Sequence, residues 1–351
     1  KFKTAPQNAL PKEAEVQNGF IQNPDFDVTE YYDIDAELLG ERQLKFLQHW
    51  VADWSHGARI KVVLSQTNFS NLGTLPEGER SDEIVPRLAI PRRGEYVGGD
   101  ALTTDMDTNG WPAKGRDEAL KIIRKGFALH IAGDQHLASM VQYGVDEFGD
   151  AGFAFTVPAL NNIWPRRWWP PVGKDHKPLL GRPKYTGHFK DAFNNKMTVL
   201  AVANPVQTSR KPALIYDRVT GYGMVAFNKI DRTTRIECWP RYADPLADPP
   251  DGGQYDGWPV IISQEENYGR EATGYLPEVR VEGMTDPVIE LYDQKTEELV
   301  YALRIKGRDF RPKVFGEGPY VIRVGDPDLD RWQEYRDVSP ADDQPIQCTF
   351  G

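Results

Sequence analysis

Cysteine is nearly absent: only Cys238 and Cys348 occur in 351 residues, with no CxxC pair and no Cys/His spacing of zinc type. The chain therefore has no disulfide framework and no zinc-ribbon pattern, and its two thiols are open to one bridge or to two buried free cysteines. Long apolar runs are missing too. None approaches the ~18–20 residues of a membrane helix, so a helical membrane span is excluded. Positive charge is in deficit, with 42 Lys and Arg against 52 Asp and Glu, a net −10. Steering of nucleic acid or an anionic membrane by the chain as a whole is excluded on that balance, and no nucleic-acid scaffold role is expected. Hydrophobic content of 40% and charged content of 27% are ordinary for a globular chain. Collagen-like, coiled-coil and wholly disordered classes are thereby ruled out.

What is present is turn-rich, with 27 Pro and 31 Gly. The length suits about two domains at ~150 residues each. The opening Lys1-Phe2-Lys3 has neither Met nor a signal-like apolar core, so the chain reads as processed or as a piece of something longer. Leu44, Leu47, Trp50, Val51 and Trp54 recur at helical spacing. Residues 60–65 form a short β-branched run that suits a buried strand, ending in the polar cluster Ser65-Gln66-Thr67-Asn68. Residues 71–104 read as loop, 116–125 as a helix and 127–132 as a second buried strand. This helix–strand–helix–strand order predicts an α/β layered core. A hairpin follows around 141–157, then a long irregular stretch over 159–195, then strands over 197–203, 223–227 and 234–239. Residues 244–257 read as a Pro/Gly/Asp-rich loop. Beyond about Tyr275 short strands over 278–281, 288–291, 299–305 and 320–324 predict a small separate β-sandwich, over 275–351.

The sharpest chemical signal is Gly133-Asp134-Gln135-His136, just past the second strand. An acidic oxygen and an imidazole two residues apart on a tight loop can face one metal, and Gly133 is expected to let the backbone turn closely. The same residues also suit an Asp capping the turn beside a surface His. Four ordered motifs give this loop a context: Glu41-Arg42-Gln43-Leu44-Lys45-Phe46-Leu47, Val63-Leu64-Ser65-Gln66-Thr67, Asn109-Gly110-Trp111-Pro112 and the GDQH loop itself. Together they resemble the second half of a metallophosphoesterase, more narrowly the PhoD-like alkaline phosphatase family. The similarity runs over about residues 1–239, and Leu303-Arg304-Ile305-Lys306-Gly307 also looks like the C-terminal domain of some members.

The resemblance implies a layered β-sheet and helix sandwich over 1–265, with a Trp/Arg-rich insertion at 159–195. It implies hydrolysis of phosphomono- or diesters by metal-activated water. Asp134 and His136 would be metal ligands, Asn109 and Gln66 catalytic-site residues, and iron with calcium or another divalent or trivalent pair the cofactor. Family members are typically exported, periplasmic or extracellular. The family's early Asp strand end, second GD turn and Asn-His-Asp group are not found here. The six histidines are His49, His56, His130, His136, His176 and His188; His49 reads as a helical surface residue and His130 as a satisfied core residue. The chain is thus expected to supply one corner of a site, completed by an N-terminal fragment of the same precursor or by identical subunits.

Residues 164–190 carry seven Lys and Arg and one Asp, a local +6 in an acidic chain. Arg166, Arg167 and Trp164 are candidates for phosphate-ester binding, since Arg clamps phosphate through two donors. Packed-down Trp rings with Arg stacked on them, or a partner-binding anchor, fit the same composition. Asp105, Asp107 and Asn109 either position a substrate or cap the following helix. The competing expectation for the whole chain is a noncatalytic assembly subunit that retains the phosphatase-like scaffold.

Overall fold

Why the chain makes these particular layers is visible in a computed structural model that describes residues 6–247 and 253–351. The opening Lys1-Phe2-Lys3 and residues 248–252 of the acidic loop lie outside the described residues. A small hairpin, β1 (Val16–Gln17) and β2 (Phe20–Ile21), precedes the helix α1 (Glu41–Ala52). Gln43 Oε1 accepts the Gly40 N–H at 3.1 Å to start α1. At the other end the Lys61 ammonium donates to the carbonyls of Trp50 and Val51, a cation at the negative pole of the helix dipole. The strand β3 (Val62–Ser65) follows, then a ribbon of β4 (Thr74–Pro76) and β5 (Asp100–Leu102), then α2 (Ala113–Ile123).

The central sheet takes β3 and five further strands: β6 (Leu129–Ala132), β7 (Ser139–Tyr143), β8 (Phe153–Thr156), β9 (Gly187–Lys190) and β10 (Lys196–Val202). Their order is β3-β6-β8-β7-β10-β9, with β3, β6 and β8 parallel and the remaining pairs antiparallel. Period-2 alternation divides its side chains between two cores. One face gives Val141, Tyr143, Ala154, Met197 and Val199 to Ala119, Leu120 and Ile123 of α2. The other gives Leu129, Met140, Phe153, Phe155 and Ala201 to Ile236, Cys238 and Ile262. The latter belong to a three-stranded sheet of β11 (Gly221–Asn228), β12 (Thr233–Pro240) and β13 (Val260–Ser263). Gly223 allows this close approach, because a Cβ there would lie 2.4 Å from the Phe155 ring.

Along β10 the register against β7 passes from Val199↔Val141 to Ala201↔Met140, so Leu200 is the extra residue of a β-bulge. The bulge shifts the alternation by one place, so that Met197 and Val199 face the helix layer, Ala201 and Ala203 the second sheet, and Val202 the helix layer again.

The last third adds β14 (Gly274–Tyr275), β15 (Val279–Glu282), β16 (Val288–Asp293), β17 (Leu299–Arg304), β18 (Asp309–Phe310) and β19 (Lys313–Val314), then β20 (Tyr320–Asp326), β21 (Arg331–Val338) and β22 (Ile346–Thr349). A four-stranded sheet, β17-β16-β20-β21, and a three-stranded one, β18-β15-β22, contribute to one core. That core also takes in Trp54, Phe127 and Tyr268 from the preceding part. The protein is a mixed α/β chain, mostly sheet with few helices. Several short strands fall where the sequence reads as loop, β4 and β5 within 71–104 and β9 within 159–195. Strands of three or four residues carry too little alternation to show a period.

Candidate functional site

The parallel strands β3, β6 and β8 end together, and ligands of α/β sheets sit at such carboxyl ends. Beyond β3 come Gln66 and Thr67; beyond β6 comes the GDQH loop. Gln66 Nε2 donates to Asp134 Oδ2 at 2.6 Å, so the two strand ends expected to share an edge do share it. The loop's geometry differs from the sequence expectation in one respect. Its left-handed residues are Asp134 (φ 58°) and His136 (φ 53°), while Gly133 has ordinary φ and a Cβ there would meet only van der Waals contacts. Asp and His tolerate that region better than most side chains, yet two in one loop is strained backbone of the kind that clusters at functional sites.

His136 Nδ1 donates to the Trp164 carbonyl at 3.2 Å. A carbonyl accepts only, so this bond places the proton on Nδ1 and leaves Nε2 as a free acceptor, the arrangement usual for a ligating histidine. Asp82, Asp107, Asp134, Gln135, His136, Trp164 and Arg166 together line a cleft of about 220 Å³. Buried Gln135 Oε1 has no hydrogen-bond partner among the described residues. Burial, with Asp105 and Asp134 nearby, raises the Asp107 carboxyl above its ordinary value, against the pull of Arg166. The cleft thus gathers carboxylates, one free imidazole nitrogen and one orphaned carbonyl oxygen, a donor set suited to a cation. Among the described residues no group of three or more His, Cys, Asp and Glu is placed to hold an ion.

Arg166 reaches this cleft, but already engaged. Its NH1 lies 2.5 Å from Asp105 Oδ2 and its NH2 2.9 Å from Asp82 Oδ2. Burial pulls its pKa down, and the two carboxylates outweigh that and raise it. Trp164 Nε1 donates to the same Asp82 at 2.8 Å. Arg167 is outside the cleft; it forms a buried two-point pair with Asp100, at 2.9 Å from Nε and 2.6 Å from NH2. Alternation along an extended segment sends adjacent side chains to opposite sides, and only Arg166 faces the opening.

Asn109 sits beneath the site. Its Nδ2 donates to Thr67 O at 2.6 Å and its N–H to Thr67 Oγ1 at 3.0 Å, fixing the turn after β3. The helix-cap role open to Asp105, Asp107 and Asn109 is not taken, since Pro112 holds the N-cap position of α2 and no side chain caps it. Two partners escaped sequence reasoning. Asp82 lies in a 3-10 turn, Asp82–Arg87, whose local signal is only the Ser81 cap on the Glu83 N–H. The other is a buried relay under the turn that follows β3. The Phe69 N–H donates to the Tyr143 hydroxyl at 2.9 Å, which donates to His130 Nδ1 at 2.8 Å. His130 Nε2–H reaches Ser65 Oγ at 2.7 Å, and Ser65 donates to Thr67 O. His130 is the satisfied core residue its mid-strand place implies.

Comparison with protein-family models, with curated proteins and with solved structures finds no match to this chain.

Proposed function

We propose that this chain is the C-terminal portion of a metal-dependent phosphoesterase of PhoD-like type, acting on phosphomono- or diesters. The observation that carries the reading is the meeting of Gln66, Asp134, His136, Trp164 and Arg166 at one carboxyl edge of parallel strands. Asp134 and the free Nε2 of His136 would hold an ion, with Gln135 Oε1 as a third donor. When bound, such an ion supplies charge neutralisation at the phosphate oxygens and acidifies water. Gln66 orients the Asp134 carboxylate, the Trp164 carbonyl fixes the His136 tautomer, and Asn109 holds the turn that carries Gln66. Arg166, balanced by two carboxylates, is available to phosphate only if it gives one of them up.

The remaining ligands belong, on this reading, to an N-terminal fragment packed against β3, or to an identical subunit. β3 is an edge strand, and Leu64 on it is 74% exposed although strands of parallel sheets are ordinarily covered on both faces. The central layers are then the second half of a metallophosphoesterase sandwich and the C-terminal sheets a β-sandwich appended to it. Iron with calcium, or another such pair, and export from the cytoplasm follow from the same reading.

The test is metal content and p-nitrophenyl phosphate hydrolysis, measured on this chain alone and on native material that includes any co-purifying partner, each with His136→Ala. Metal-dependent turnover in the native material, abolished by the substitution and absent from the isolated chain, is the expected result. Turnover by the isolated chain would place the missing ligands within it. No turnover in either would favour the second reading, a noncatalytic assembly subunit, which the sparse metal donor set among the described residues supports.

A further inference from the structure

A second opening, of about 480 Å³, is lined by Tyr96, Trp169, Tyr185, Tyr242, Gln207 and Gln254 among others. The Tyr96 and Tyr185 rings lie 5.3 and 5.4 Å from the Trp169 indole, at 76° and 84° to its plane. Three rings thus meet as walls near right angles. Trp169 is 4% exposed, and its Nε1–H has no hydrogen-bond partner among the described residues. A buried donor left unmade costs roughly 1–3 kcal/mol, which a ligand oxygen or a water removes.

The charged side chains of the lining are Arg93, Lys184, Glu95 and Asp256, two of each sign. Arg93 pairs with Asp256 at 2.8 Å, and Lys184 and Glu95 are opposite in sign, so the lining as a whole carries no net charge. The amides are half used. Gln207 Nε2 donates to Ile90 O at 2.8 Å, leaving its oxygen, and Gln254 Oε1 accepts from Cys238 N at 3.3 Å, leaving its NH₂. Aromatic faces for C–H surfaces, planar amides with a free arm for hydroxyls, and no net charge define one ligand chemistry. We propose that this opening binds a neutral sugar ring, a pyranoside. The inference does not rest on the phosphoesterase reading.

Saturation-transfer NMR on the full chain tests it, with the methyl pyranosides of glucose, galactose, mannose and N-acetylglucosamine as probes and adenosine as the flat aromatic comparison. At least one glycoside should receive saturation. Gln207→Ala, at an exposed position, should weaken it about tenfold, the equivalent of ~1.4 kcal/mol, without moving the melting temperature. Trp169→Phe, which keeps an aromatic wall and removes the N–H, should also weaken it. The proposal falls if none of the four glycosides receives saturation, if neither substitution weakens the transfer, or if adenosine binds in their place.

Discussion

His130 is wedged between Ser65 and Tyr143 with both ring nitrogens engaged. Burial holds its pKa down at about 3, against an ordinary 6.5. The unfolded chain therefore takes up a proton that the fold refuses. The stability this group contributes is complete above pH ~6.5 and is lost as pH falls toward 3, at about 1.4 kcal/mol per unit. Melting curves from pH 8 to pH 4 should show this acid limb, and His130→Gln should flatten it; an unchanged limb in the variant would refute the assignment. The adjacent arginines separate by a different measurement. Asp100→Ala leaves Arg167 buried without its partner and should cost about 3–5 kcal/mol in urea unfolding. Arg166→Ala leaves the buried Asp105 carboxylate unpaired and should also lower stability. Under the proposed function it should in addition alter KM for phosphate esters in the native material. An Asp100→Ala protein of normal stability would mean that the Arg167 pair is not structural.

Among the elements, β3 is the one whose burial conflicts with its sequence. Its β-branched run reads as a covered strand, and β6 on one side of it is indeed buried, but Leu64 stands in solvent. Leu64→Ser should change the stability of this chain by no more than about 0.5 kcal/mol. Leu129→Ser on β6, within the core, should cost several times as much, which chemical denaturation would show. Much of this level was legible beforehand. Helical spacing from Leu44 to Trp54 located α1, and the two apolar runs located β3 and β6 side by side. The GDQH loop and Gln66 were legible because strand ends at one sheet edge must lie close. Arg167 and Asp82 were not, because each is placed by a partner in a distant loop and neither sits in any local pattern. The strands of two to four residues escaped for want of a period.

At the scale of the molecule, the C-terminal sheets are tied to the rest by charge as well as by packing. Arg304 donates to the Ala58 carbonyl at 2.9 Å and to the Trp54 carbonyl at 2.8 Å. Asp328 accepts the His56 and Gly57 N–H groups at 2.6 and 2.7 Å, and those bonds lower its pKa. With Trp54 and Phe127 sharing the C-terminal core, calorimetry should give one transition, shifted to lower temperature by Arg304→Ala. Two separated transitions would show that the parts fold independently. Removing residues 275–351 would uncover those two rings, so the truncated chain should lose solubility as well as stability.

The extra residue in β10 has a consequence for how this sequence can change over time. Val199 serves the helix layer and Ala201, two places on, the second sheet because Leu200 is spent between them. Loss of that single codon would keep composition and propensity almost intact. It would also leave a regular strand, because Val199 and Ala201 would become neighbours on opposite faces and keep their places against Val141 and Met140. A one-residue deletion should accordingly be tolerated at Leu200, as in the surface loops of this protein, and selected against at Met140 or Val141 of β7, where no residue is spare and a loss shifts the register.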